Sequence, residues 1–324
     1  RGTLKEGPFP LASPEKGPDE FLSFPGKVLY DEPSERLFIA DTGHDRILIA
    51  RPDGGVLDIA GCGSPGAADD SFERASFRGP QGMALTPDGL WVADTENHLL
   101  RRLDLDRRTV ETIAGTGHQA PWGSPGGPPR QTSLNSPWDL AVLDRELFVA
   151  MAGAHQIWRF SMDWLGPFAG TGQEELFDAP RAQATLAQPS GLTTDGKVLF
   201  VADSETSSIR RIDEGVTTLV GQGLFVFGDT DGIGEEVRLQ HPLGVSFMGG
   251  MLFVADTYNH KIKRLDPISR RVETLAGNHS DYEPFWEPGG LSAGKTRIFV
   301  ADTNHHAIRW IERETKRVST LVLR

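Results

Sequence analysis

Residues 255–267 read ADTYNHKIKRLDP and place Asp256, Asn259 and His260 within five positions. A carboxylate and an imidazole at that spacing can act as a general acid–base pair or as two metal ligands. The same residue types also build tight turns, because Asp and Asn accept hydrogen bonds from neighbouring turn amides. The stretch alone admits all of these readings, and recurrence separates them. It returns as FIADTGHDRIL at 38–48, WVADTENHLLRRLD at 91–104, FVAMAGAHQIWRF at 148–160, FVADSETSSIRRID at 200–213 and FVADTNHHAIRWI at 299–311. A catalytic dyad has no reason to recur in nearly every copy of a repeat, whereas a turn does. Asp94, His98, Asp256, His260, Asp302 and His305 are therefore expected to be turn residues, with the carboxylates accepting backbone amides from their own turns or from the next repeat.

What positions those turns is a four-strand unit. Each tip joins two apolar, strand-length runs, which reads as a hairpin. Before it stands a Pro-x-Gly stretch such as GPQGMAL (79–85), QPSGLTT (188–194), HPLGVSF (241–247) or EPGGLSA (287–293). After it comes a β-branched strand such as VETIAGTG (110–117) or VETLAGN (272–278). Six units at intervals of about fifty residues, with no helical period, predict an all-β, six-bladed β-propeller of four antiparallel strands per blade. The blades are expected near 24–61, 79–116, 136–171, 188–222, 241–277 and 287–324, after a lead segment at 1–23. The chain is expected to enter on an innermost strand and leave on an outermost one, so that blades one and six meet chiefly by side-chain packing. Residues 4–11 are the one stretch able to add an edge strand.

The innermost strands surround the axis, so residues beside the prolines ring the channel mouth. Two positions after each proline come Lys27, Gly82, Asp139, Gly191, Gly244 and Gly290. Glycine suits a place where backbones crowd; Lys27 and Asp139 break the rule with opposite charges, and such departures mark where the structural template is overridden. The candidate site is thus a polar mouth of Lys27, Trp138, Asp139, Gln188, His241 and Glu287, with His241 and Glu287 as a second pair. The competing reading is that Lys27 and Asp139 form a buried ion pair plugging the channel. Long connections at 61–78, 115–135, 170–187, 221–240 and 277–287 lie on the same face, where loops of that length pack as lids or bind.

Other signals are weaker. GDTDGIGEE (228–236) begins like a calcium loop but lacks the later ligands and the twelfth-position Glu. The histidines are mostly tip copies, with only His241 at the ring, so neither a catalytic set nor a metal or cofactor site is expected. Arg101, Arg102, Arg210 and Arg211 on the third strands read as inter-blade or rim ion pairs. Phe225 and Phe227 read as the core of their own loop. The single cysteine, Cys62, forms no internal disulfide and suits a reducing, cytoplasmic setting. No run nears the roughly 18 apolar residues of a membrane helix. A net charge of −12 counts against nucleic acid. The chain opens RGTLKEGP, without Met or a signal-like segment, and a fragment or processed chain is the expectation.

The tip motif with its Pro-x-Gly and Leu-Ala-Gly flanks resembles NHL repeats, and Asn97-His98-Leu99 keeps the family's triplet intact. SPWDLAV (136–142), AMAGAHQIW (150–158), FGDTDGIGEEVRLQHPLGV (227–245) and FPGKV (24–28) resemble one branch in particular, over about residues 21–321. That resemblance implies a propeller preceded, in the longer proteins, by a thioredoxin-like domain; these 324 residues contain no Cys-x-x-Cys. It implies a non-catalytic scaffold whose loop-rich face docks such a domain, another protein or a small polar ligand. Related propellers also offer a lyase or lactonase working at the channel mouth and, against the charge here, RNA binding.

Overall fold

The computed structural model describes residues 21–277 and 285–324. Six antiparallel sheets follow one another along the chain, beginning at Val28–Asp31, Pro80–Thr86, Pro137–Leu143, Pro189–Thr194, Gly244–Met248 and Pro288–Ala293. Each sheet steps outward in chain order from its first strand to its fourth, so the chain is a six-bladed propeller. Blades two, four and five differ from the expected four strands. Short fifth strands, Asp70–Ser71, Ala179–Pro180 and Gly232–Ile233, come from the connection leading into the blade and pair with its outermost strand. Among the described residues no helix is long and apolar enough to cross a membrane.

The second strand of each blade is apolar on both faces because both are covered. In blade one Leu37, Phe38, Ile39 and Ala40 are all fully buried. Six separate apolar clusters result, one at each joint between neighbouring blades. The last of them packs Val28, Leu37 and Ile39 of blade one against Phe299, Ala301 and Ile308 of blade six. Side chains are not the whole closure: the Arg324 N–H donates to Gly54 O at 3.0 Å, and the Val56 N–H donates to Arg324 O at 2.9 Å. The chain leaving blade six thus lies on the outer strand of blade one, as the connections do elsewhere. The edge-strand candidate at 4–11 falls outside the described residues.

The tips answer the question raised by ADTYNH. One carboxylate oxygen of each tip aspartate accepts a backbone amide from the segment leading into its own blade: Ser23 to Asp41, Arg78 to Asp94, Ala187 to Asp203, Gln240 to Asp256 and Trp286 to Asp302, at 2.7–2.8 Å. The donors come neither from the aspartates' own turns nor from the next blade, because the loop before the innermost strand folds back over its own hairpin. In blade three Met151 replaces the aspartate, and its sulfur stands 3.3 Å from the Asn135 amide as the acceptor. The other carboxylate oxygen serves third-strand cations. Arg101 and Arg210, both fully buried, meet Asp94 and Asp203 at 2.8 and 3.0 Å. Their second partners, Asp69 and Asp178, lie on their own blade's lead-in, so these pairs are internal to a blade, while Arg102 and Arg211 pair at the rim. Asp229 and Asp231 of the calcium-like loop are taken by Lys261 and Lys263. Burial pushes Asp94 up to about 6 and Asp256 up to about 7.

The residue closing each tip is left-handed, at φ 49–57° in Asp45, His98, His155, Ser207, His260 and His306. Its side chain reaches the next blade. The N–H groups of Gly79, Ser136, Gln188, His241, Glu287 and Phe24 donate to Asp45 Oδ1, His98 Nδ1, His155 Nδ1, Ser207 Oγ, His260 Nδ1 and His306 Nδ1, at 2.9–3.2 Å. All six joints therefore carry the same latch, and four require an unprotonated imidazole nitrogen. Burial pushes His98 below its ordinary 6.5, opposed by Glu96. A histidine depressed in the fold contributes stability that is full above about 6.5 and is lost as the pH falls through the window below it. Because Asp45 makes the latch with an oxygen, His98→Asn is expected to keep the wild-type melting temperature at pH 7.5 and to lose less of it at pH 5.5; thermal melts at the two pH values check this, and an equal acid loss in both proteins would refute it.

Candidate functional site

The residues preceding the prolines, Phe24, Gly79, Ser136, Gln188, His241 and Glu287, all adopt φ between 45 and 56°. They give their amides to the latches, and the strand then turns down the axis. At the next crowded level a Cβ on Gly82 would lie 2.3 Å from the Asp139 Cα, and one on Gly290 2.6 Å from the Lys27 Cδ. Four glycines thus leave room for two side chains, and Lys27 and Asp139 fill it.

These two are buried together across the axis, with Lys27 Nζ 3.3 Å from Asp139 Oδ2. The ammonium also donates to Ser190 O at 2.7 Å and Leu243 O at 2.5 Å. The carboxylate accepts from the Leu140 and Leu192 amides at 2.9 and 3.0 Å. Four blades are thereby tied across the channel. Burial lowers the Lys27 pKa and raises that of Asp139, each shift opposed by the partner's charge. With three acceptors on three ammonium protons, the pair has the bonding of a satisfied plug.

The other four predicted residues do not join it. Trp138, Gln188, His241 and Glu287 are half-buried on the tip face. Glu287 accepts from Asn304 Nδ2 at 2.9 Å rather than pairing with His241. His241 stacks on Tyr258 with ring centres 4.5 Å apart and lies 3.7 Å from Glu205. Burial lowers its pKa, opposed by Glu205 and Glu287. Below the plug, on the side away from the tips, the channel widens into a cavity of about 230 Å³ that Lys27 and Asp139 roof and the inner strands wall.

The tip face carries a feature that the spacing of the repeat did not reveal. Trp122 and Phe225 are 76% and 89% exposed, and Phe177, Phe227, Tyr258 and Trp286 are exposed as well. They stand on the long connections and on one tip. Phe225 and Phe227 are thus not the buried core of their loop; Gly223 and Gly228, at φ 122° and 157°, bracket a segment whose aromatic rings face solvent.

No family model matches the chain. It is 42% identical over 323 residues to NHL repeat-containing protein 2 of Bos taurus and 41% identical to that of Homo sapiens, each match covering 86% of this chain. It is also 42% identical over 276 residues to the Arabidopsis thaliana protein SUPPRESSOR OF QUENCHING 1, chloroplastic, across 79% of this chain. The chain spans 44% of the length of the first two and 26% of the third. Among solved structures, a streptogramin B lyase matches at TM-score 0.56 and 12% identity, over 93% of this chain and 84% of that one. A gluconolactonase from Xanthomonas campestris matches at 0.57 and 16%, over 90% and 86%. At those identities the likeness is one of fold.

Removing one member of a buried ion pair leaves the other charged and unpaired, at a cost of about 3–5 kcal/mol. Lys27→Met is expected to destabilise the propeller by that amount in urea unfolding, and adding Asp139→Asn should recover part of the loss. A Lys27→Met protein as stable as the wild type would show that the plug holds nothing together.

Proposed function

Because the chain is an NHL-repeat β-propeller closely resembling the propeller of NHL repeat-containing protein 2, we propose that it is a non-catalytic docking module whose tip face binds a folded partner domain. The observation carrying this reading is the set of exposed aromatics on that face, Trp122, Phe177, Phe225, Phe227, Tyr258 and Trp286. Large aromatics presented on loops are the residue type that anchors protein interfaces, and such anchors supply most of the binding energy once covered. The partner favoured is a thioredoxin-like domain, the one the family resemblance implies in the longer proteins. The relatives are more than twice as long as this chain, and the chain reaches blade one on the tip face, where Ser23 O accepts the Gly43 amide. An entry on that side supports the reading that a preceding domain docks there. Nucleic acid fits poorly with a net charge of −12.

A second reading, a lyase or lactonase at the channel mouth, draws on one observation: His241, with Glu205 and Glu287 acting on it, is an acid–base group beside the axis. The plug counts against it, since Lys27 and Asp139 spend their hydrogen bonds on the fold. Titration calorimetry with the thioredoxin-like domain of a full-length relative tests the docking reading. Trp122→Ser with Phe225→Ser is expected to weaken binding at least tenfold, on the scale of two lost aromatic anchors, at an unchanged melting temperature. Undiminished affinity would overturn the proposal, and lactone hydrolysis abolished by His241→Gln would establish the enzyme instead.

A further inference from the structure

The cavity beneath the plug lies at the other end of the axis from the aromatic face, and its wall has two chemically distinct halves. Two residues beyond the axial position, the six inner strands carry Leu29, Ala84, Ala141, Thr193, Ser246 and Ser292, all lining the cavity. Blades one to three thus offer alkyl groups, and blades four to six offer three consecutive hydroxyls.

Each hydroxyl oxygen is held by the next blade. The Phe247 N–H donates to Thr193 Oγ1 at 3.1 Å, the Ala293 N–H to Ser246 Oγ at 3.1 Å, and the Tyr30 N–H to Ser292 Oγ at 3.0 Å. A hydroxyl that accepts in this way keeps its own proton to donate. Among the described residues none of the three protons has a protein acceptor. The fold's need for these residues is met by their lone pairs, which leaves an arc of three oriented donors facing an apolar wall.

The roof decides the charge of what fits. Lys27 has its three protons on Asp139, Ser190 O and Leu243 O, and its charge is balanced by Asp139. A carboxylate entering the cavity would lose water without gaining a counter-charge, and a cation would lose it beneath a roof whose one carboxylate, Asp139, is already paired with Lys27. We infer that the cavity is a binding site for a small neutral carbonyl compound, such as a cyclic ketone, lactone or ester, with its oxygen toward the hydroxyls of blades four to six and its hydrocarbon against blades one to three. About 230 Å³ exceeds the roughly 150 Å³ that accommodates benzene in an engineered apolar cavity, so one ring with a substituent fits. The half-buried Leu29, Leu85, Val142 and Thr193 place the opening on the face away from the tips. The site is independent of the docking face.

The test is methyl NMR on the full chain labelled at methionine. Met83 lines the cavity, and Met162, 89% exposed on a turn, serves as control. Cyclohexanone is expected to shift the Met83 methyl saturably and leave Met162 unmoved, with cyclohexanecarboxylate and cyclohexylammonium giving no saturable shift. Thr193→Val with Ser246→Ala should weaken cyclohexanone binding roughly tenfold, the effect of losing two neutral hydrogen bonds. Since those hydroxyls also tie strands together, Leu29→Trp provides a second variant; it fills the cavity from the apolar half, keeps the hydroxyls, and should abolish the shift. Absence of the Met83 shift in the wild type, carboxylate binding as tight as that of the ketone, or full affinity in a folded Leu29→Trp protein would overturn the inference. Docking of a thioredoxin-like domain should be unaffected by Leu29→Trp, so failure here leaves the docking reading standing.

Discussion

The ring depends on one repeated hydrogen bond, from the amide before each Pro-x-Gly to the side chain that closes the preceding blade's tip. A propeller has no continuous sheet around its circumference, so each blade must be aligned on its neighbour by side-chain packing and by a few directional contacts. The apolar clusters supply most of the adhesion, but packing alone tolerates sliding. The latch sets height and rotation, and it forms only because both participating residues are left-handed, an arrangement that costs energy for non-glycine residues unless the surroundings enforce it. The hydroxyl of the tip threonine adds a second tie, as where Thr95 Oγ1 donates to Pro137 O and Thr257 Oγ1 to Pro288 O, at 2.6 and 2.9 Å. Blade three, with Ala152 in that place, lacks this second tip tie and keeps the His155 latch.

This explains what could be read from the sequence. Six blades solve the same joining problem, so the tip residues recur, and recurrence alone marks Asp256 and His260 as structural. The direction of their bonds was not legible. An aspartate in a turn usually serves its own turn, and only the folding back of the long lead-in over the hairpin brings the Gln240 amide to Asp256. The fifth strands were hidden for a similar reason: Asp70–Ser71 and Ala179–Pro180 carry no strand pattern, and pair because the connection happens to pass an open edge.

At the axis, the two residues that break the glycine pattern, Lys27 and Asp139, are the two that meet. Gln188, His241 and Glu287 precede their prolines, where the left-handed backbone commits the amides to the latches, while Trp138 follows Pro137, and all four side chains stay half-buried on the tip face. Apart from Tyr258 on a tip, the exposed aromatics lie in connections that differ from blade to blade, so the repeat carries no trace of them. The hydroxyl arc is likewise silent in the sequence, because Thr193, Ser246 and Ser292 are ordinary strand residues until the fold sets them beside Leu29, Ala84 and Ala141.

The plug has a consequence for how the two ends of the molecule work. A lysine bonded to blades three, four and five from its seat on blade one closes the shaft at the level where the strands crowd most, so a ligand at one end cannot pass to the other. Burial acts on the pair in the direction of neutrality, lowering Lys27 and raising Asp139, while mutual attraction and the surrounding amides and carbonyls resist it. An ion pair of this kind adds little stability over a well-packed apolar plug, but it demands one arrangement of partners. Here those partners are carbonyls and amides of different blades. The pair is therefore better understood as fixing which blade faces which across the axis, and that registration keeps the tip face and the asymmetric cavity in constant relation.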